Sequence, residues 1–159
     1  MNTHYKYSEE RVVYADADLV WNLLSNCNYL PKWMPYIIKV EHLGNTHLEK
    51  GSILWVESLH DKRKKQSLCY VSECKEKNMI SFLSKQNGTE VCFSFQIRDA
   101  DNGLIKIVMT IEINLAWYQN FIFRNKLIQS IRAQGWVQLN ELDKVIMECR
   151  NQQNNNLVF

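Results

Sequence analysis

The stretch of sequence that decides the fold is NFIFRNKLIQSIRAQGWVQLNELDKVIMECR, residues 120–150. Its apolar residues recur at steps of three, four or seven, which is the period of an α-helix sustained over about eight turns. The pattern predicts a long helix from Asn120 to Arg150 with one apolar stripe directed at a core. The stripe consists of Phe121, Ile128, Ile131, Gly135, Leu139, Leu142, Ile146 and Cys149.

Gly135 lies at the centre of this apolar stripe, where glycine is an unfavourable choice. A glycine in a helix interior costs about 1 kcal/mol relative to alanine. Two explanations are open: a strand backbone packs closely against the helix at this point, or the space above the glycine is a cavity. We prefer the second, so Gly135 is predicted to border a ligand-binding space.

The length and composition of the chain indicate one domain. A chain of 159 residues of which 46% are hydrophobic is long and apolar enough to bury a single sizeable core. We therefore predict one ligand-binding domain over residues 1–150. Residues 151–159 include an asparagine-rich segment, which is typical of a frayed and solvated end.

The charge pattern does not indicate a nucleic-acid ligand. The formal net charge is +2 at pH 7, and the only basic cluster is DKRKK at residues 61–65. We interpret this cluster as a solvated hairpin turn, with an anionic partner as the alternative. No nucleic-acid-binding motif accompanies it.

The five cysteines are odd in number and lack metal-binding spacing, which predicts reduced thiols in the core. Cys69 and Cys74 are five residues apart on a predicted strand, so they point to opposite faces unless the strand bulges. The segment from Met1 to Tyr14 lacks an apolar run, and nowhere is the chain apolar enough to span a membrane. The sequence therefore predicts a cytoplasmic protein without a signal peptide, a metal or a cofactor.

The first part of the chain predicts a strand followed by two short helices. His4 to Tyr14 alternates loosely, as a first strand does. Asp16 is suited to cap a helix over Ala17 to Ser25. Asn28 is suited to cap a second helix, which Pro35 ends because proline cannot continue a helix.

From Tyr36 onward the hydrophobic period switches to two, the period of β-strands. Turn signals such as Asn87-Gly88 separate the apolar segments, which predicts an antiparallel meander of hairpin-linked strands. The clearest segments have one apolar and one polar face, and the first strand is predicted to pair with the last. The six strands are predicted at Ile37 to Leu43, Ser52 to Leu59, Gln66 to Lys75, Met79 to Ser84, Glu90 to Ala100 and Leu104 to Asn114.

This order of elements predicts an α+β protein of the helix-grip type. A curved, seven-stranded antiparallel sheet with one apolar face wraps around the long carboxy-terminal helix. A single helix cannot fill the concave side of so wide a sheet, because protein interiors are close-packed. We therefore predict a cavity between the sheet and the helix.

Three segments at the beginning of the chain resemble a known superfamily. The segments are ADADLVWNLLS at residues 15–25, YLPKWMP at 29–35 and IKVE at 38–41, and together they resemble the opening of the START-like or birch-pollen-allergen-like (SRPBCC) superfamily. The polyketide cyclase/dehydrase and lipid-transport branch is the most similar, and the quinone-binding chaperone-like branch has a similar opening. The resemblance spans about Tyr5 to Glu148 and implies a helix-grip fold with a ligand cavity between sheet and helix.

The candidate ligand-binding residues are the apolar side chains expected to line this cavity. Trp33 is expected at the cavity mouth, where the second short helix meets the sheet, and packing of that helix onto the sheet is the alternative role. Each remaining candidate also suits an ordinary core, so only the group as a whole indicates a cavity. These residues are Trp55, Phe93, Phe95, Met109, Ile113, Ile128, Ile131, Gly135 and Leu139.

Catalysis would require an acid or a base on the inner face of the sheet, and we expect no charged residue there. The weak candidates are Glu57 and Tyr70. If Trp55 points inward, strand parity directs Glu57 inward as well, where it would be an acid, a base or a ligand anchor. The run ILWV at residues 53–56 is apolar on both faces, so the parity of this strand stays open.

The sequence favours binding of a hydrophobic small molecule, such as a lipid, an isoprenoid, a quinone or an aromatic polyketide, over catalysis. Transport of that molecule is a further role within the same interpretation. One alternative is a polyketide cyclase/dehydrase-type enzyme that uses an inward acid or base. Another is a quinone-chaperone-like protein or an interaction module whose apolar mouth, around Trp33 and Trp117, docks a partner protein.

Overall fold

The structure of the protein is a computed structural model that describes residues 3–119 and 123–156. Within these ranges the chain forms seven strands and three α-helices, with short 3-10 segments at Asp101–Gly103 and Trp117–Gln119. The strands are β1 (Thr3–Val13), β2 (Ile37–His42), β3 (Ile53–His60), β4 (Arg63–Lys75), β5 (Met79–Gln86), β6 (Thr89–Asp99) and β7 (Ile105–Leu115); the helices are α1 (Ala17–Ser25), α2 (Leu30–Trp33) and α3 (Arg124–Asn156).

The strands form one antiparallel sheet in the order β1-β7-β6-β5-β4-β3-β2. Consecutive strands from β2 to β7 are neighbours, which confirms the predicted meander. β1 pairs with β7 along its full length, from Thr3 opposite Leu115 to Val13 opposite Ile105. The predicted pairing of the first strand with the last is therefore confirmed, as is the α+β helix-grip class.

Alternation of side chains gives the sheet an apolar inner face. Along β7 every second side chain is buried, from Ile105 to Leu115. The helix α3 crosses this face and buries Ile131, Leu139, Leu142 and Ile146. The core therefore lies between the sheet and the long helix, as the two hydrophobic periods predict.

α3 runs alongside β1 in the same direction. The guanidinium of Arg132 lies 4.1 Å from the centre of the Tyr7 ring, and Asn140 accepts a hydrogen bond from Arg11. Eight helical residues advance about 12 Å and four strand residues about 13 Å, so the two elements stay in step. Side chains on the inner face of β1 therefore meet α3 at successive turns.

The two predicted short helices are confirmed, but the prediction that Asn28 caps the second one is wrong. Asp16 caps α1, since its carboxylate accepts a hydrogen bond from the Leu19 backbone N–H at 2.7 Å. The residue that precedes α2 is Tyr29 rather than Asn28, and no side chain caps this helix. A proline in its first turn, Pro31, supplies a fixed φ that suits a helix start without a side-chain cap.

The boundaries of β4 and α3 differ most from the prediction. β4 begins at Arg63 because Asp61 and Lys62 both take a positive φ and form a two-residue turn, so most of the basic cluster lies on a strand. α3 continues to Asn156 with exposed side chains, so the asparagine-rich segment is solvated but helical. The predicted helix start at Asn120 and the stripe residue Phe121 lie outside the described residues.

No helix in the described part of the chain is both long and apolar enough to cross a membrane.

Candidate ligand-binding site between the sheet and the long helix

The structure brings most of the predicted wall residues together in the core between sheet and helix. Phe95, Met109 and Ile113 are buried on the inner face of the sheet, and Phe93 is half-buried there. On α3, Ile131, Gly135 and Leu139 are buried against this face, and Ile128 is half-buried. That these side chains contact a ligand stays a prediction.

The space above Gly135 is occupied by side chains. A methyl group added to Gly135 would overlap the end of the Ile111 side chain and would lie 3.0 Å from the Met109 methyl. The prediction of a cavity at this position is therefore wrong, and so is the alternative prediction that a strand backbone packs against the helix here. A residue without a Cβ suits this position because the ends of two large inner-face side chains already occupy the space next to the helix.

Trp33 belongs to the core. Its side chain is fully buried, its indole N–H donates a hydrogen bond to the Leu23 carbonyl at 2.9 Å, and its ring meets Phe95 edge-on at 5.1 Å. Trp117 is 67% exposed. The two tryptophans therefore do not form one apolar mouth, and the packing role is the one that the structure supports for Trp33.

Trp55, Glu57 and Tyr70 lie on the outer face of the sheet, so the prediction that Trp55 lines the cavity is wrong, and the strand parity that the sequence leaves open does not direct Glu57 inward. Leu54 and Val56 are buried on the inner face, which leaves Trp55 and Glu57 outside. Glu57 forms an ion pair with Lys64 at 3.1 Å. Tyr70 is opposite Ile53, which shares the outer face with Trp55.

Sequence reasoning missed the charged residues of the inner face, which are on β1. The odd-numbered residues of β1 are half-buried or buried and the even-numbered ones are exposed. Glu9 and Arg11 therefore face α3 together with Tyr5 and Tyr7. The expectation of an inner face without charge is wrong, because β1 is polar on both faces and its pattern does not reveal which face is covered.

Four side-chain polar atoms in the described part of the chain are buried without a hydrogen-bond partner, and three of them are on the inner row of β1. We call these three the β1–α3 seam; they are the Tyr5 hydroxyl, Glu9 Oε2 and Arg11 Nε. The fourth is Oε1 of Gln138, six residues beyond Arg132 and therefore about 9 Å further along the helix and about 120° around it, at the edge of the apolar stripe that is further from β1. The exposed fraction of Gln138 is only 9%.

The seam is bordered by arginine side chains from α3. Arg124 lies 5.0 Å from the centre of the Tyr5 ring, and Arg132 covers Tyr7. One terminal nitrogen of Arg11 donates a hydrogen bond to Asn140, whereas its buried Nε lacks a partner. Such cation–π contacts hold the tyrosine rings in place and cover the apolar rings from solvent.

A buried polar atom without a protein partner is satisfied by water or by a ligand, so this cluster is a candidate site for a polar group. Leaving such an atom unpaired costs about 1 to 3 kcal/mol. A carboxylate oxygen accepts hydrogen bonds, a guanidinium nitrogen donates one and a phenol does both. The seam therefore matches a molecule that carries both donors and acceptors.

Comparison with protein-family models and with curated protein sequences finds no match. Solved structures do match. Ara h 8.0201 superposes with a TM-score of 0.74 at 16% identity, over 92% of this chain and 99% of that one. Norcoclaurine synthase from Thalictrum flavum gives a TM-score of 0.71 at 14% identity, over 92% and 96%. The Zhui aromatase/cyclase from Streptomyces sp. R1128 gives 0.74 at 14% identity, over 91% and 94%.

The chain has the same helix-grip fold as these solved structures, as the resemblance of its opening segments implied. The similarity covers nearly the whole length of both chains, so it concerns the complete fold rather than one motif. Identities of 14 to 16% show a shared fold and do not transfer an activity. The function of this helix-grip protein has to be argued from its own residues.

Two cysteines lie on the inner face of the sheet, the face that carries the seam. Cys69 is opposite the buried Leu54, and burial, helped by the nearby Cys92, raises the pKa of its thiol to about 12. It is therefore a neutral thiol at physiological pH and a poor nucleophile. A bulge between Val71 and Glu73 turns Cys74 to the same inner face, opposite the buried Ile80, yet no group of metal-binding side chains occurs among the described residues.

Proposed function

We propose that this protein binds a small molecule with an apolar body and a polar group at the β1–α3 seam, between the sheet and α3. The observation that carries the proposal is that three buried polar atoms of the seam lack partners beside an apolar core. A lipid, an isoprenoid, a quinone or an aromatic polyketide has this combination of properties. A protein that binds such a molecule without converting it is suited to transport, which is the physiological role that we propose.

Two physical effects supply the affinity and the orientation of the ligand. Burial of its apolar surface contributes about 25 cal/mol per Å² removed from water. Pairing of its polar group with Tyr5, Glu9 or Arg11 removes the cost of unpaired buried atoms. An apolar molecule without a polar group would leave that cost in place, so we expect amphipathic molecules to be preferred.

The structural relatives support a small-molecule ligand without identifying it. Norcoclaurine synthase from Thalictrum flavum was solved in complex with dopamine and hydroxybenzaldehyde, and its chain superposes on 92% of this one with a TM-score of 0.64. Another relative is an aromatase/cyclase. The fold therefore accommodates organic molecules in relatives, while the ligand here depends on the seam.

Gln138→Leu is expected to stabilise the ligand-free protein and to weaken ligand binding. Leucine has nearly the volume of glutamine and removes the unpaired amide oxygen, so the free energy of unfolding should rise by about 1 kcal/mol. A ligand that lies across the apolar stripe of α3 from the seam also reaches this amide, so the same change removes one of its partners. Urea unfolding measures the first effect, and native mass spectrometry of gently purified protein measures how much co-purified ligand is retained.

Gln129→Leu is the matched control, because Gln129 lies on the same helix and is exposed. It should change neither quantity. A Gln138→Leu protein that is less stable than the wild type would show that the amide is satisfied in solution. Undiminished retention of ligand by this variant would remove Gln138 from the binding site.

A second candidate function is acid–base catalysis on the bound molecule. The observation in its favour is that Glu9 directs a carboxylate, and Tyr5 a phenol, to the interior. Carboxylates and phenols are common general acids and bases when they reach the substrate. A cyclase or dehydratase of polyketide-like molecules would use Glu9, which takes the place proposed from sequence for Glu57.

Glu9→Gln separates binding from catalysis. The amide keeps the size of the carboxyl and one acceptor oxygen but cannot transfer a proton, so turnover of a retained molecule should fall by about 100-fold or more while binding persists. Mass spectrometry of the molecule incubated with each variant measures turnover. Glu10→Gln is the control, since Glu10 is the next residue, faces outward and pairs with Lys106 at 3.2 Å. If neither variant differs from wild type, Glu9 serves binding alone.

We also infer that the protein functions in the cytoplasm. All five cysteines are free thiols, which supports a reducing compartment.

A further inference from the structure

A cleft of about 830 Å³ lies on the outer side of the sheet, where the connection between β2 and β3 folds beside the ends of these strands. Its floor is formed by Ile53, Trp55 and Leu68, and its wall carries Glu41, Glu49 and Lys50. The cleft is on the opposite face of the sheet from the β1–α3 seam. Its volume is in the range of small-molecule sites, about 300 to 1,000 Å³.

The floor is a continuous apolar surface that remains accessible. Trp55 and Leu68 are direct cross-strand neighbours, and Ile53 is two residues before Trp55 on the same face. Trp55 exposes 43% of its surface, Ile53 52% and Leu68 38%. Three adjacent large apolar side chains exposed to this degree at the bottom of a cleft are typical of a ligand-binding surface.

The charged groups of the wall leave an excess of negative charge. Glu41 is the cross-strand neighbour of Trp55 on β2 and forms an ion pair with Lys39. The ammonium of Lys50 is already paired with Glu73 at 2.8 Å. The carboxylate of Glu49 has no ion pair within the described ranges, so the cleft that exposes the Trp55 indole also carries an uncompensated negative charge.

We propose that this cleft binds an organic cation with apolar substituents, of the aryl-alkylammonium or tetraalkylammonium class. The cation contacts the face of the Trp55 indole, and the apolar substituents cover Ile53 and Leu68. Indole is the strongest aromatic partner for cations, and nearby carboxylates add attraction from Glu49 and Glu41. An anion of the same size would be repelled by those carboxylates.

Titration with benzyltrimethylammonium tests this proposal. Wild-type protein should bind the cation saturably in a one-to-one ratio, as measured by isothermal calorimetry. Trp55→Leu keeps an apolar floor but removes the indole face, and it should weaken binding by about tenfold or more. Glu49→Gln should weaken binding severalfold and reduce its salt dependence. Phenylacetate, which has the opposite charge, should not bind.

Trp136→Leu is the control for the tryptophan, because Trp136 is 52% exposed on α3, away from the cleft. This variant and Gln138→Leu should bind the cation as the wild type does, which separates the cleft from the seam between sheet and helix. The proposal is overturned if the wild type shows no saturable binding at millimolar cation. It is also overturned if Trp55→Leu binds equally well or phenylacetate binds as tightly.

Discussion

Trp33→Ala is expected to lower the free energy of unfolding by about 3 to 5 kcal/mol, the range for removal of a buried aromatic side chain. The indole is fully buried between α2 and the sheet, and the change also removes its edge-on contact with Phe95 and its hydrogen bond to Leu23. Small proteins have a total stability of about 5 to 15 kcal/mol, so this is a large share. Urea unfolding of the ligand-free protein is the measurement.

Two comparisons separate the parts of this effect. Trp33→Phe keeps a ring in the core but leaves the Leu23 carbonyl without the indole donor, so its cost should be smaller. Trp136→Ala, at a half-exposed indole, should cost about 1 kcal/mol or less. If Trp33→Ala costs no more than Trp136→Ala, Trp33 is not part of a packed core and its role at a cavity mouth should be considered again.

Gly135→Leu is expected to destabilise the ligand-free protein by about 1 to 3 kcal/mol through overpacking. Leucine has the better helix propensity, about 1 kcal/mol relative to glycine, but this gain offsets only part of the strain. The strain arises because the ends of Ile111 and Met109 already occupy the space next to the glycine. Thermal and urea unfolding of the variant without ligand measure the loss.

A double-mutant cycle shows whether Ile111 is the cause. Ile111→Val removes the terminal methyl that a side chain at position 135 would overlap. Gly135→Ala should therefore be better tolerated in the Ile111→Val background than in the wild type, with a coupling of about 1 kcal/mol. Additive effects of the two changes would mean that the strain has another origin.

Much of the fold was predictable because several segments have strong contrast between their faces. β6 and β7 alternate between apolar and polar residues, so their inner faces follow from the sequence. The turn at Asn87 and Gly88 has the positive φ angles that these residues accept readily. Asp16 caps α1 as its position before an apolar helix predicts.

The candidate site was less predictable, because its key residues depend on contacts between distant segments. The functional signal on β1 is the row Tyr5, Tyr7, Glu9 and Arg11, spaced by two. The opposite row, with Lys6 and Glu10, is also polar, so alternation alone does not select the covered face. Val13 is the single aliphatic residue of the first row, and one such residue is not enough to predict which row is buried.

The sequence by itself determined the order of the elements, the antiparallel meander, and the apolar stripe of the long helix. These features depend on local periodicity and turn chemistry, which act within a few residues along the chain. Only the tertiary structure decided that Trp55 and Glu57 face outward, that Glu9 and Arg11 meet α3, and that Ile111 fills the space above Gly135. Where both faces of a strand have the same polarity, pairing with neighbouring strands and packing of the helix select the buried face, and those contacts join residues far apart in the sequence.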